Sequence, residues 1–442
     1  MGEQFFVKKI DKPVRWEVEV PGSKSMTNRA LLMAALTEGT VELEGVLFSD
    51  DSRYFLSSLQ SLGFALVIEE KEKRVTVTGC NGTIPKKEAE IYVGSAGTAA
   101  RFLTAMLGLS DGSYVIQASE QMKKRPMKPL FDLLEGVGAE ITYLEEEGFL
   151  PIRIRGCRNR REEGGMVLAE MAEPLYLELD ISKSTQFLSA MLLISPMVKQ
   201  GLKIHITSEK TDGSYIRITR KMLEEAGVMV GFDGRDYTVP AGASYRKTYY
   251  RIEPDVSAAC YFYGAAAITG GTALVKNVHF DNSQGDMKFL EVLRDMGCAV
   301  EEEPEGIRVT GPEVGKLKGI ELNMNDFSDQ ALTLAAMAPY ANSKVRMTGI
   351  GHIRGQESDR LHAMAAELGK AGICCAEEQS AITIFPGQPK AAVIETYEDH
   401  RVAMAFSLLG LRTEGIVIDN PGCCKKTFEE YFEILERLTE EN

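Results

Sequence analysis

Runs of Ala, Leu and Met that are apolar on every side recur along the chain, each opened by a short loop of small polar residues. The pattern predicts six such helices, at 25–36, 97–107, 184–194, 257–268, 329–338 and 400–411, with starts 71 to 87 residues apart. A helix that is apolar all round belongs in a protein interior. Each is followed by strand-like residues and a second helix with one polar face, at 52–62, 129–137, 216–226, 287–296, 359–371 and 427–438. Those second helices should lie outside. Five of the six run into a glycine-containing cap and then a strand, as in Leu62-Gly63-Phe64, Val137-Gly138-Ala139 and Met296-Gly297-Cys298.

A β-α-β-α-β type of unit repeated at this period, over nearly the whole length, predicts an α/β protein with two domains of three units each. The polar stretch 241–247 separates units three and four. The strand at 17–20 precedes unit one and is free to complete the C-terminal half. The predicted division is 1–21 plus 250–442 as one lobe and 22–249 as the other. Two chain crossings between lobes would form a hinge.

The length of 442 residues suits two domains, and 44% hydrophobic with 26% charged residues is ordinary for a globular enzyme. A net charge of −14 argues against nucleic acid or an anionic membrane as partner. It also makes any gathering of Lys and Arg in small-residue loops more informative. The N-terminus has no basic segment with an apolar run behind it, and later apolar runs are too short to span a bilayer. Eight cysteines without a CxxC and five scattered histidines point away from a metal site and toward reduced thiols in the cytoplasm.

The helix-opening loops carry the chemistry. Pro21-Gly22-Ser23-Lys24-Ser25 sets Lys24 and Arg29 where backbone N–H groups lack partners, an anion cradle or else a capped helix with two surface cations. Gly94-Ser95-Ala96-Gly97-Thr98 lacks Walker or Rossmann spacing; its glycines admit an anion to the backbone or simply make a tight turn. Arg125 precedes a Pro that starts a helix. Ser182-Lys183-Ser184-Thr185-Gln186 either caps a helix or offers hydroxyls to phosphate. Asp329 is an N-cap or a general base. Glu357 and Arg360 share a helix face, as an ion pair or as part of a site. Asp399-His400-Arg401 and Lys425-Lys426-Thr427 complete the set. If the loops converge, Lys24, Arg29, Arg125, Arg360, Arg401 and Lys426 surround Asp329 and Glu357. Six cations in an acidic protein imply ligands bearing phosphate and carboxylate, because Arg forks match both.

Taken together and in order, 21–36, 94–101, Arg125-Pro126, 184–188, 328–333, 357–360, 399–401 and 426–428 resemble the 5-enolpyruvylshikimate-3-phosphate synthase family of enolpyruvyl transferases, from about Val20 to Leu438. The resemblance implies a two-lobed fold, each lobe three repeats of a β-α-β-α-β-β unit with buried inner helices. It implies transfer of the enolpyruvyl group of phosphoenolpyruvate to the 5-hydroxyl of shikimate 3-phosphate, in aromatic amino-acid biosynthesis, through a tetrahedral ketal and loss of phosphate. No cofactor or metal is implied, and a cytoplasmic monomer with only small-molecule partners is expected.

By the same resemblance Lys24, Gly97, Arg125, Gln186, Arg360, Arg401 and Lys426 look like phosphoenolpyruvate ligands. Lys24, Ser25, Arg29, Ser184, Thr185, Gln186, Ser208, Tyr215, Asp329, His352 and Gln356 look like the acceptor side. Asp329 looks like the base for the acceptor hydroxyl and Glu357 like the group that protonates the methylene, with Lys24 and Lys426 beside the reaction. The serine preceding Tyr215 is assigned as Ser208, from its place at a strand end. Gly97 with Thr98 implies room for glyphosate, a phosphoenolpyruvate mimic in this family.

Some positions depart from the family's pattern: Gln356 stands where lysine is usual, His352 where asparagine is common, Ser95 for asparagine and Thr185 for serine. Gln356 and His352 keep open a related transferase for another cyclic acceptor. Transferases of UDP-N-acetylglucosamine share the fold but have Lys-Asn where this chain has Lys24-Ser25. A non-catalytic binder would lack Asp329 or Glu357, and both are present.

Overall fold

The computed structural model describes residues 3–158 and 173–441. The chain divides into two compact units, Gly22–Ile252 and Met1–Pro21 with Glu253–Asn442.

In the unit Gly22–Ile252 the second repeat has the simplest form. Strand Glu88–Tyr92 leads into helix Gly97–Gly108 and then strand Ser113–Gln117, which pairs parallel with the first. Parallel neighbours need a crossover, and the apolar helix supplies it. Helix Lys128–Gly136 follows, then an antiparallel pair, Glu140–Tyr143 with Ile152–Arg155, the latter also pairing Ser113–Gln117. Two further four-stranded sheets in this unit have the same one-parallel, two-antiparallel pattern. The first repeat borrows its parallel strand from the far end of the unit: Tyr249–Arg251 lies beside Glu38–Glu44, with Tyr250 opposite Leu43.

The other unit is permuted in the same way. Strand Arg15–Glu19, from the extreme N-terminus, pairs parallel with Thr272–Lys276, Val18 opposite Val275. Its last sheet has three strands, with Gln4–Phe6 antiparallel to Ile416–Asp419 and Ala392–Ile394 on the other side.

Inner and outer helices follow the polarity of their sequences. All residues of Gly97–Gly108 and Val256–Thr269 are buried, whereas Lys288–Asp295 buries only Phe289, Leu290, Val292 and Leu293. Each fully buried large aliphatic or aromatic side chain is worth about 1.5–3 kcal/mol, so an all-apolar helix is stable only inside. Five of the six outer helices end on left-handed glycines, as at Gly63 (φ 90°) and Gly297 (φ 101°), where a side chain would be strained.

Three helices start two or more residues later than expected. The third inner helix begins at Gln186 rather than 184, because the Ser184 hydroxyl accepts the Gln186 N–H (3.2 Å) and holds the chain in a turn. Residues Ser328–Gln330 form a 3-10 turn ahead of Ala331–Met337. The final outer helix is Tyr431–Glu440 rather than 427–438, since Pro421–Lys426 is itself a 3-10 helix and Thr427 leaves helical geometry (φ −143°).

Candidate active site

In the unit Gly22–Ile252, Lys24 opens the helix Lys24–Leu36 and its Nζ lies 3.2 Å from Asp51 Oδ2. Asp51 is itself buried, at the start of Asp50–Ser61. The chain can enter at this point only because residue 22 is glycine: a Cβ there would stand 2.0 Å from the Gly45 carbonyl oxygen. One turn on, Arg29 is 1% exposed. Its Nε donates to Thr219 Oγ1 (2.8 Å), Nη1 to the Ser25 carbonyl (2.8 Å) and Nη2 to the Tyr215 carbonyl (3.1 Å). The guanidinium lies over the rings of Phe102 and Tyr215, at 5.3 and 5.9 Å. Burial lowers its pKa to about 10, still charged at neutral pH. Arg29 thus ties three repeats together while carrying a charge.

A second group of this unit surrounds Gly97. A Cβ at 97 would lie 2.6 Å from Arg101 Nη1 and 2.7 Å from Arg125 Nη1, so the glycine admits two guanidinium groups at a helix N-terminus. Arg101 Nη1 donates to the Gly97 carbonyl (3.1 Å) and to Gln186 Oε1 (3.0 Å), fixing Gln186. Asn28 Nδ2 donates to Thr98 Oγ1 (2.7 Å) and links this helix to the one that carries Lys24 and Arg29.

In the other unit Arg360 is the centre. Its side chain is 1% exposed, and every nitrogen of it is used. Nε donates to Asp399 Oδ2 (2.8 Å) and Nη2 to Asp399 Oδ1 (3.2 Å), a fork-to-fork pair. Nη1 reaches Asp329 Oδ1 (2.9 Å) and the Gln356 amide oxygen, and Nη2 reaches Glu357 Oε2 (3.0 Å). Burial alone would lower the Arg360 pKa, but Asp399, Glu357 and Asp329 outweigh it and raise the value. Arg401 Nη2 lies 3.0 Å from Asp329 Oδ2, and Lys426 Nζ 3.5 Å from Glu357 Oε1. Asp329 and Glu357 therefore each stand between two cations. That arrangement can hold a carboxylate ionised for proton uptake, or present positive charge to an anion.

The structure brings the sequence-predicted residues together in these sets, with some in unexpected roles. Ser25 contributes its carbonyl to Arg29, and Tyr215 its ring and carbonyl. Ser184 closes the turn before Gln186, and Thr185 is the residue ahead of that helix. Ser208 is committed on both sides, accepting from the Ile181 N–H (3.2 Å) and donating to the Lys210 carbonyl (2.8 Å). His352 Nε2 is 2.8 Å from Ser328 Oγ, next to Asp329. Gln356 accepts from Arg360, a contact that a lysine at 356 could not make. Sequence reasoning gave no role to Asp51, Arg101 or Asp399. Asp51 and Asp399 lie at helix openings, where an acid has a ready explanation as a capping residue, and Arg101 lies one turn inside an otherwise apolar helix.

Among the described residues no group of three His, Cys, Asp or Glu side chains could hold a metal ion, and no helix is long and apolar enough to cross a membrane. All eight cysteines are free.

Repeated α/β units with buried cations and paired carboxylates at the helix openings define an enzyme for small, multiply anionic substrates. The profile of EPSP synthase (3-phosphoshikimate 1-carboxyvinyltransferase) matches residues 8–435. The 3-phosphoshikimate 1-carboxyvinyltransferase of Trichormus variabilis is 41% identical over 424 residues, 96% of each chain. That of Sulfurovum sp. is 40% identical over 435 residues, 97% of this chain and 98% of its own. The structure of EPSP synthase from Acinetobacter baumannii superposes with a TM-score of 0.79 at 27% identity, covering 98% of each chain. The chain belongs to the EPSP synthase (3-phosphoshikimate 1-carboxyvinyltransferase) family.

Proposed function

We propose that this protein transfers the enolpyruvyl group of phosphoenolpyruvate to the 5-hydroxyl of shikimate 3-phosphate, releasing phosphate, in the shikimate pathway of aromatic amino-acid biosynthesis. The observation that carries this reading is the Arg360 cluster, in which Asp329 and Glu357 are held apart by one buried guanidinium. Addition across the enol double bond needs one group to take the hydroxyl proton and another to give a proton to the methylene carbon. Two carboxyl groups that share Arg360 but face different second cations, Arg401 and Lys426, can take those two tasks. In this assignment Asp329 is the base and Glu357 the acid, with Lys426 beside Glu357.

Arg125, Gln186, Gly97, Arg360, Arg401, Lys426 and Lys24 would hold phosphoenolpyruvate by charge-assisted hydrogen bonds, each worth about 1.5–3 kcal/mol. Lys24, Ser25, Arg29, Ser184, Thr185, Gln186, Ser208, Tyr215, Asp329, His352 and Gln356 form the acceptor side. Ser208 serves it by shaping the 208–213 loop, since its hydroxyl is already engaged. The protein acts as a cytoplasmic monomer.

A second reading, a different cyclic acceptor, is favoured by Gln356 and His352, both of which bond to groups around Asp329. Phosphate release from phosphoenolpyruvate decides between them. Shikimate 3-phosphate should support turnover, whereas shikimate and UDP-N-acetylglucosamine should not.

Gly97→Ala tests the cradle. The new methyl would displace the Arg101 and Arg125 guanidinium groups from 2.6 and 2.7 Å. The KM for phosphoenolpyruvate is expected to rise about tenfold, the loss of one such contact, with a smaller change in the acceptor KM. Initial rates with each substrate varied in turn check this, and an unchanged phosphoenolpyruvate KM would remove Gly97 from the site.

A further inference from the structure

Behind Asp329 lies a carboxyl group that the reaction as described does not use. Asp286 sits in the short 3-10 turn Gly285–Met287 and is 8% exposed. It accepts hydrogen bonds from two neutral donors, the Ser257 hydroxyl and Gln330 Nε2 (2.8 Å). Both lead to Asp329. Gln330 is its chain neighbour, wholly buried and further fixed by Thr333 (3.0 Å). Ser257 Oγ lies 3.5 Å from Arg401 Nη2, the same nitrogen that lies 3.0 Å from Asp329 Oδ2.

Helix stability does not explain the arrangement. The helix Val256–Thr269 is already capped by Asp255, whose carboxylate accepts the Ser257 N–H at 2.9 Å. A buried carboxylate with only neutral donors is costly to ionise. Its pKa is pushed up to about 6, first by burial and then by the charge of Asp329, with Arg401 opposing. The charged or titratable groups facing it are Asp329 on the 328–330 turn, Arg401 on the helix His400–Arg412, and Cys260 on its own neighbour helix. Lys288, two residues on, turns instead to Asp326 (2.8 Å).

We propose that Asp286 is a positioning residue for the proposed base: through Ser257 and Gln330 it orients Asp329 and offsets the positive charge that Arg360 and Arg401 place beside it. The inference rests on the reading of Asp329 as base. Two guanidinium groups beside one carboxylate favour its ionised form and so oppose proton uptake. A second negative charge behind Arg401 restores that uptake. Above about pH 6 Asp286 is ionised and the offset is present; below it the offset is lost.

The test is Asp286→Asn, which keeps shape and hydrogen-bonding capacity and removes the charge. kcat at pH 7.5 should fall about tenfold, a fraction of the full effect of a general base. Both KM values should stay within about threefold, and the acid limb of the kcat profile should move to lower pH by about half a unit or more. Asp286→Glu should return the limb to its wild-type position. A merely structural Asp286 would lower the melting temperature and leave the limb unmoved, and that result overturns the proposal. So does wild-type kcat in a folded Asp286→Asn. Should that variant not fold, Ser257→Ala takes its place: a kcat loss of about threefold at constant KM supports the coupling, and unchanged kcat overturns it. Asp329→Ala, assayed in parallel, separates the two ideas. Activity retained there refutes the base itself, whereas an inactive Asp329→Ala beside a fully active Asp286→Asn refutes only the positioning role.

Discussion

Asp329→Ala and Glu357→Gln should each lower kcat by about 10²–10⁴-fold, the usual share of a positioned general acid or base. The substitutions are local. Without the Asp329 carboxylate, Arg360 keeps both oxygens of Asp399, the Gln356 amide and Glu357. Glu357→Gln keeps an oxygen for Arg360 Nη2 but loses the charge that faces Lys426 and, with it, the carboxylic proton. Substrate affinity should therefore survive where turnover does not, and the melting-temperature rise on adding both substrates should stay close to that of the wild type. Phosphate release and thermal-shift measurements on the same preparations check the pair of claims. Near-normal turnover in either variant would remove that residue from proton transfer.

The largest effect on stability is expected at Asp399, to which the proposed reaction assigns no step. Its two oxygens bind Arg360 Nε and Nη2, one also accepts the Arg401 N–H at the start of the helix His400–Arg412 (3.0 Å), and the other accepts the Ser358 hydroxyl (3.0 Å). Asp399→Ala removes the N-cap and strips the best partner from a fully buried cation. Breaking a buried pair on one side costs about 3–5 kcal/mol, because the remaining charge cannot regain water. For a domain of this size the melting temperature should drop by on the order of 10 °C. Arg360→Lys should fall in the same direction, since an ammonium cannot span the four acceptors that the fork reaches. A change of less than about 2 °C in Asp399→Ala would mean that the cluster is cushioned by water, contrary to its burial.

Much of this architecture could be read in the residue pattern, and the reason is physical. The helix Lys24–Leu36 begins within one residue of its predicted start, and Gly97–Gly108 begins at the predicted one, because all-round apolar runs after Pro-Gly or Gly-rich loops permit few alternatives. Local hydroxyl chemistry hid the true start at Gln186, and Thr427, the predicted start of the last helix, instead leaves a 3-10 turn with non-helical geometry. Strand partnership was less visible. Nothing in Tyr249–Arg251 specifies pairing with Glu38–Glu44, some two hundred residues earlier, nor does Gln4–Phe6 announce Ile416–Asp419. Those pairings are set by which sheet edge is left open when the rest has folded.

The site divides along similar lines. Cations stood out against an acidic chain, so Lys24, Arg29, Arg125, Arg360, Arg401 and Lys426 were evident. Two of the acids that hold them were not: Asp51 and Asp399 lie at helix starts, where an acid is common for local reasons, nor was Asp286, which sits in a turn. Only coordinates distinguish a cap from the counter-charge of a buried guanidinium.

The permuted strands carry a further consequence, for how the gene could be cut. In Gly22–Ile252 the two ends of the segment touch: a Cβ at Gly22 would be 3.3 Å from Ile252 Cγ2, and the last strand completes the first sheet. In the remainder, the Asp255 N–H donates to the Pro21 carbonyl at 2.8 Å, so the severed ends there are neighbours as well. Each piece has its own hydrophobic core. Residues 22–252 should thus express as an independent folded protein, and 1–21 joined to 253–442 through a few glycines as another. Cooperative melting of each fragment would verify that the polypeptide encodes one autonomous module threaded into a second.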